Sequence, residues 1–550
     1  KPDQRLKIAD MKETILKTAG FIIIFIVSAF IISNMMNRGN TDMTAEMAEA
    51  TYPTADIMIN SGKVNLMHAY SGTISAEYLR GALSPLNNDR SIKVEISEYD
   101  TNITGLLYEV RSMDTTRLVE STEVYDYTEK NGIIYATLNI KDLIDKNTEY
   151  MLDIIAKDDM GNEYKFYTRI IEDDAFHTDD MVSFVNDFSE KTFNKDRAKE
   201  LTTYLESNET GDNTSFADVN IHSSFAQITW GNLAPEITGN AVTTILEMNE
   251  NTACIKRDYT VSAGADTDRQ EYTVTEYYRI RYTQQRIYLL DYERTMNQIF
   301  KPESASFAND KILLGITDFN VNMMENGDGN VVAFVSDGTL YAYRVSDERI
   351  ARLFTFRDSN HTDERDKFND YAIKILSVDE GGNVRFLVYG YMNRGRHEGK
   401  VGASVFYYDS TLNTVEEEIY IPYSRSYPML KKNIELLAYS GEGSNFYIYM
   451  DGTIYRIHLE DQSYDKIAEG IDYDSIVVSN SGRMAAWQKS SGDSTITLED
   501  FHSGKSREIK ADTGNKNRLI GFIGEDFAFG EANTKNMIRT ATGTTMLPMH

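Results

Sequence analysis

VVAFVSDGTLYAYRV, residues 331–345, decides how the C-terminal half of this chain reads. Apolar side chains alternate along both arms, and Asp337-Gly338 between them is the dipeptide favoured where two successive residues of a hairpin turn need positive φ. The same pentad returns almost unchanged, as DGTLY at 337–341 and DGTIY at 451–455. VRFLVYGY with SVFYYD, FYIYMDGTIYRIHL, MAAWQKSSGDSTITLED and FIGEDFAFGEA repeat the arrangement of strand, tight turn and strand. Comparable points fall at Asn330, Asn383, Asn445, Arg483 and Gly524, about 40 to 60 residues apart.

That period is the one expected of β-propeller blades, and about five fit into residues 304–550. VSNSGRMAAWQ at 478–488, with Ser479, Gly482 and Ala485, resembles the Ser-x-x-Gly-x-x-hydrophobic signature of Tol-type and tryptophan-aspartate-type propellers. The resemblance implies a rigid platform whose loops carry recognition. The last blade breaks off near His550 and the chain opens on Lys1, so the sequence reads as a piece trimmed at both ends.

Upstream, residues 53–172 read as a β-sandwich. ADIMIN and KVNLMHAY flank Ser61-Gly62 as a hairpin, and a short helical piece, SAEYLRGAL, follows. Six strand-like runs then occupy 91–171, separated by turn chemistry such as Asn131-Gly132. DLIDKNTEYMLDIIAKD resembles fibronectin type III domains, which implies that the Tyr150 hydroxyl bonds to backbone a few residues upstream; another immunoglobulin-like topology fits nearly as well. Residues 173–303 read as an α+β module. Met181, Phe184, Val185 and Phe188 recur at helical spacing after Thr178, a candidate N-cap. A second helix opens at Asn194 and places Ala198, Leu201 and Leu205 on one side, and long strands follow. The module is similar to cystatin-like and nuclear-transport-factor-like folds by analogy.

Residues 18–37, TAGFIIIFIVSAFIISNMMN, carry no charge, and twenty helical residues cover the roughly 30 Å of a bilayer's hydrocarbon. No small-residue cleavage site sits at the end of the apolar core, so the stretch reads as an uncut signal anchor. Five basic residues precede it and only Arg38 lies in the next fifteen, which puts residues 1–17 in the cytoplasm as a tail. Residues 38–52 then form a stalk, and the bulk of the chain lies outside the plasma membrane. The net charge of −29 argues against nucleic-acid partners. A single cysteine, Cys254, excludes an internal disulfide, which for so large an ectodomain points to a bacterial envelope; Cys254 itself reads as a buried small hydrophobe.

Chemical motifs are sparse. There is no G-x-S-x-G, H-E-x-x-H or paired C-x-x-C. Gly504-Lys505-Ser506 has Glu499 where a phosphate-binding loop needs glycine and reads as a hairpin turn. His177, His361 and His397 have acidic neighbours, as chance supplies with 85 acidic residues, and Asn326, Asp328 and Asn330 lack the glycine bend of a calcium loop. Arg279, Arg281, Arg286 and Arg294, interleaved with tyrosines, read as the solvated cationic face of a hairpin. No catalytic, cofactor-binding or metal-ligating residue is assigned, and no cofactor.

The expectation is therefore a mainly β, multidomain chain with an N-terminal transmembrane helix, then a β-sandwich, an α+β module and a β-propeller. Its partners are the bilayer through residues 18–37 and another envelope protein or a cell-wall polymer, for a non-catalytic binding, scaffold or sensor protein. The alternative is a wall- or glycan-acting hydrolase with its site in the propeller funnel or beside Trp230.

Overall fold

The computed structural model describes residues 48–72, 74–75, 79–173, 175–264, 269–302, 307–308, 311–314, 321–346, 348–357, 363–365, 367–441, 444–489, 494–536, 538–539, 541 and 545–546. The apolar stretch 18–37 and most of the stalk lie outside them. Among the described residues no helix is long and apolar enough to cross a membrane.

Two five-stranded sheets form the N-terminal sandwich. The first joins β1 (Thr54–Ile59), β2 (Gly62–His68), β4 (Ser91–Ser97), β7 (Tyr127–Glu129) and β8 (Ile133–Asn139) in the order β2-β1-β4-β8-β7. The second joins β3 (Leu83–Pro85), β5 (Ile103–Ser112), β6 (Leu118–Val124), β9 (Tyr150–Asp158) and β10 (Glu163–Ile171) in the order β3-β10-β9-β5-β6. Tyr150 accepts a hydrogen bond from the Asp145 backbone N–H at 3.1 Å, the upstream tie that its position implied. SAEYLRGAL does not end as a helix: Leu83 opens β3, which pairs in parallel with β10.

Helix α1 (Thr178–Thr192) packs on a third antiparallel sheet. Its strands are β11 (Asp218–Asn220), β12 (Glu236–Met248), β13 (Thr252–Ala263), β14 (Gln270–Tyr282) and β15 (Ile287–Gln298), in the order β11-β15-β14-β13-β12. His177, not Thr178, stands at the N-cap, and the Thr178 hydroxyl goes instead to Met248 Sδ at 3.3 Å. The second helical piece is a 3₁₀ turn, Arg197–Thr203, with Ala198 and Leu201 buried. Cys254 is half-buried on β13.

Sandwich and α+β sheet share one hydrophobic core, in which Ile57 and Phe166 join Val185, Phe188, Ile255 and Tyr292. A buried polar pin crosses the same boundary. Asn65, fully buried and left-handed at φ 58°, donates through Nδ2 to Leu83 O (2.8 Å) and Ser84 Oγ (2.9 Å) and accepts from Ile245 N–H (2.8 Å). One amide thus satisfies backbone groups of β3 and of the free edge of β12.

After the short pair β16 (Phe307–Ala308) and β17 (Lys311–Ile312) come four successive four-stranded antiparallel sheets. The first is β18 (Met323–Glu325), β19 (Val331–Ser336), β20 (Thr339–Arg344) and β21 (Arg349–Phe354); the second is β22 (Tyr371–Val378), β23 (Val384–Tyr391), β24 (Val401–Asp409) and β25 (Thr414–Pro422). The third is β26 (Ala438–Ser440), β27 (Asn445–Met450), β28 (Thr453–His458) and β29 (Tyr464–Glu469); the fourth is β30 (Ile476–Val478), β31 (Met484–Trp487), β32 (Thr495–Asp500) and β33 (Lys505–Lys510). A two-stranded ladder, β34 (Asn515–Ile523) with β35 (Asp526–Asn533), follows. The described residues thus hold four complete blade-like sheets and a two-stranded one, where five blades were expected.

Strand alternation explains why these sheets stack. Phe386 and Val388 enter the core shared with the first sheet, whereas Leu387 and Tyr389 enter the core shared with the third. Phe446 and Ile448 face back to the second sheet, and Tyr447 and Tyr449 face on to the fourth. Each sheet is apolar on both faces because each is sandwiched between neighbours. Both Asp-Gly pairs turn as expected, with φ 45° and 70° at 337–338 and 46° and 88° at 451–452.

The sandwich docks on the second of these sheets. Glu398 accepts from Thr51 N–H (2.8 Å), Tyr52 N–H (2.9 Å) and Thr51 Oγ1 (2.9 Å), and Tyr391 donates to Ala69 O at 2.7 Å. Gly399, at φ 73°, lies so close to Tyr52 that an added Cβ would sit 2.4 Å from the ring.

Asn65→Ala strands three buried backbone or hydroxyl partners and strains a left-handed residue, so it should cost about 2–4 kcal/mol of unfolding free energy in urea titrations. Asn65→Asp keeps the acceptor for Ile245 but loses both donors, and an intermediate loss is expected.

Candidate functional site

A cavity of about 780 Å³ opens where the sandwich, the α+β sheet and the propeller-like array meet. From the sandwich come Asp56 on β1, Lys63 on β2 and Tyr99 just beyond β4. From the α+β unit come Asn186 and Glu190 on α1, the 240–243 segment of β12 and Arg257 on β13; Asp363, Glu364 and Arg365 come from the loop before β22.

Local structure dictates each placement. In β1, Ala55 and Ile57 are buried, so alternation turns Asp56 to the other side of the strand. Asn186 and Glu190 are one turn apart on α1, beside the face that buries Val185 and Ser189. On β13, Ala253, Ile255, Tyr259 and Val261 are buried, and Arg257 has their parity. The chain thus carries a cation onto an inward-facing row. β12 is an edge strand with a bulge: Thr238 and Val242 pair with Thr260 and Asp258, so Gly239, Asn240 and Ala241 stand against the single Tyr259.

The charges are unevenly matched. Lys63 ion-pairs with Glu95 and lies 3.6 Å from Asp56, and both Lys63 and Asp56 have Glu364 in their field. Burial lifts the Asp56 carboxyl to about 6 against the pull of Lys63, with Glu364 and Glu95 adding to the rise. Burial opposes charge on Lys63, yet the Glu95 hydrogen bond and the nearby Asp56 hold its proton more tightly than usual. Arg365 is spoken for: it chelates Asp363 at 2.6 Å, donates to Tyr52 O and stacks on Tyr99 at 3.8 Å.

Arg257 is the exception. It is 7% exposed, and among the described residues its one hydrogen bond runs from Nη1 to Asn186 Oδ1. Its Nε has no partner and no ion pair is formed among the described residues, although buried Glu276 stands opposite it on β14. Asn186 Oδ1 also accepts from Thr243 Oγ1 at 3.1 Å, which orients the amide and leaves Nδ2 unbonded in the protein.

Of these residues the sequence singles out only Asp363 and Glu364, as acidic neighbours of His361 in HTDERD. For Arg257 its one legible signal was parity, because Lys256-Arg257-Asp258 interrupts an alternating strand and one of the three charges must face inward. The other residues it weighs lie elsewhere. His177 stacks on Tyr282, and His397 bonds Glu417 at 3.0 Å; His361 is outside the described residues. Among the described residues no group of three or more His, Cys, Asp or Glu side chains is placed to hold a metal ion. Asn326 and Asp328 bond backbone N–H groups of the β18–β19 turn, and Gly504 closes the β32–β33 turn.

Two expectations need correction. Arg294 does not share a solvated face with Arg279, Arg281 and Arg286. A bulge at 289–291 shifts parity, so Arg294 is fully buried over the Trp230 ring at 3.4 Å and donates to Ile228 O and Gln227 O. Trp230 is itself buried, its Nε1 bonded to Thr192 Oγ1, and lines no groove for a hydrolase.

No family model matches this chain and no curated protein matches it. Among solved structures it is similar to TolB from Acinetobacter baumannii, at 10% identity over 67% of this chain and 78% of that one, TM-score 0.20. A Bacteroides thetaiotaomicron protein of unknown function gives 11% identity over 87% and 96%, TM-score 0.21. Pyrococcus horikoshii acylaminoacyl peptidase gives 9% over 50% of this chain, TM-score 0.23, and the matched part spans 41% of that enzyme. These likenesses carry neither an activity nor a partner to this chain.

Asp56 yields a pH test. Its folded pKa of about 6 exceeds the ordinary 3.8, so the folded state binds the extra proton and this contribution to stability, complete below about pH 4, is lost as pH rises through 6. Asp56→Asn does not titrate. Its melting temperature relative to the unsubstituted protein should therefore climb between about pH 4 and 6.5 and level off above; a difference independent of pH would contradict the assignment.

Proposed function

We propose that this chain is a single-pass, membrane-anchored, extracytoplasmic binding protein of a bacterial cell envelope, acting as scaffold or sensor. Residues 18–37 hold it in the plasma membrane, with the N-terminus cytoplasmic and the C-terminal bulk outside, and the propeller-like array presents an interaction face to another envelope protein or a wall polymer. The observation that carries the binding reading is the junction cavity: three units contribute to its walls, and one of them supplies a buried guanidinium whose Nε has no partner among the described residues. Buried donors are normally met, and an unmet one facing open volume is a place for a ligand. The charge of −29 argues against nucleic acid as that ligand.

A second reading, a hydrolase of wall glycan or peptide, has one observation in its favour. Burial raises the Asp56 carboxyl to about 6 while Glu95 and Glu364 lie in its field, the kind of difference between carboxyl groups that acid-base hydrolysis uses. The two readings part on turnover.

Protease added to intact cells should degrade the bulk of the chain and leave an N-terminal membrane fragment, and detergent extracts should yield a stoichiometric complex with a membrane partner. Protection of the bulk in intact cells would overturn the topology. Release of soluble sugar or peptide from purified wall, abolished in Asp56→Asn, would replace the binding reading with the hydrolytic one.

A further inference from the structure

The cavity has open donors at one end and a cluster of carboxylates at the other. On the α+β side Arg257 Nε and Asn186 Nδ2 are donors without acceptors among the described residues, with the Glu190 carboxylate on the same wall one turn along α1. On the other side Asp56, Glu95 and Glu364 gather around a single Lys63, so negative charge is in excess there. Between them runs β12, an edge strand whose bulge sets Gly239, Asn240 and Ala241 against Tyr259 of β13 and turns the Asn240 amide to Glu364. Tyr99 is the aromatic side chain lining the cavity, and the Arg365 guanidinium covers one face of its ring.

We infer that the junction cavity binds a short peptide with free termini, its C-terminal carboxylate on Arg257 and Asn186 and its amino group toward the carboxylates around Lys63. The inference rests on the binding reading above and names the ligand class of that same site. Guanidinium is suited to a carboxylate because its N–H donors match the two oxygens in plane. The extended backbone of the ligand lies along the bulged segment of β12, as peptides do when they add to a free sheet edge. Ligand pockets span about 300–1,000 Å³, and 780 Å³ accommodates about two to four residues.

The test is calorimetric titration of the full chain, purified in detergent, with tri-alanine, its C-terminal amide, its N-acetyl derivative, and free alanine. The expected result is saturable binding of tri-alanine, weakened about tenfold or more in the C-terminal amide and also weakened in the N-acetyl form, with free alanine weaker than the tripeptide. Arg257→Gln should remove the preference for carboxylate over amide while leaving the melting temperature near that of the unsubstituted protein. Should that variant fail to fold, the acid-to-amide comparison on the unsubstituted chain decides alone. Equal binding of acid and amide, or no binding of tri-alanine at millimolar concentration, overturns the inference. In that event recovery of the membrane complex by extraction still supports the binding reading, so the two fail separately.

Discussion

The arrangement depends on a carboxylate that has been taken out of water. Glu398 lies between the sandwich and the second blade-like sheet, where burial raises its proton affinity even though three donors from Thr51 and Tyr52 work in the opposite direction. Apolar contact alone tolerates sliding, since a hydrophobic face is indifferent to small translations. A buried carboxylate is not indifferent, because leaving any of its oxygens unmet costs far more than the contact gains. The clamp closes a separation of 346 residues, and with it the Tyr391 bond to Ala69 and the stacking of His68 on Phe368 fall into register. Asn65 does the same at the other boundary, between the sandwich and β12. The cavity exists because both boundaries are fixed.

Much of the fold was legible before any coordinates because its signals are local. Asp337-Gly338 and Asp451-Gly452 dictate turns by their own dihedral preferences, and the alternation of VRFLVYGY marks a strand whether its neighbours are known or not. Tyr150 is placed by the stretch DLIDKNTEYMLDIIAKD around it. One misreading has an equally local cause: a strict period of two puts four arginines on one face, but the bulge at 289–291 inserts one residue and moves Arg294 to the interior. Another has a distant one: Leu83, the last residue of SAEYLRGAL, opens a strand that pairs with β10, more than eighty residues away.

The site was illegible for the opposite reason. Asp56, Lys63, Asn186, Arg257 and Glu364 come from five separate elements and form no motif at any spacing. Each also has an ordinary explanation taken singly: a polar residue on an outward row, a helix-surface amide, a charge in a strand. Only assembly shows that Arg257 Nε lacks a partner among the described residues, since absence of a partner is a statement about three dimensions.

A ligand in this cavity has consequences that a ligand in a propeller funnel would not have. Whatever occupies it touches β1 and β2, α1, β12 and β13, and the 363–365 loop at once, so its binding energy is also energy that holds three units together. By linkage, any occupant that prefers the assembled junction shifts the whole chain toward that arrangement by the difference in affinity. The adjoining polar groups are disposed to feel it: Asn240 bridges to Glu364 at 2.8 Å across the boundary, and Arg365 reaches from the same loop to the Tyr52 carbonyl beside the Glu398 clamp. Occupancy of the cavity and the seating of the sandwich on the blade-like sheets therefore share one loop, residues 363–365, and cannot be energetically independent.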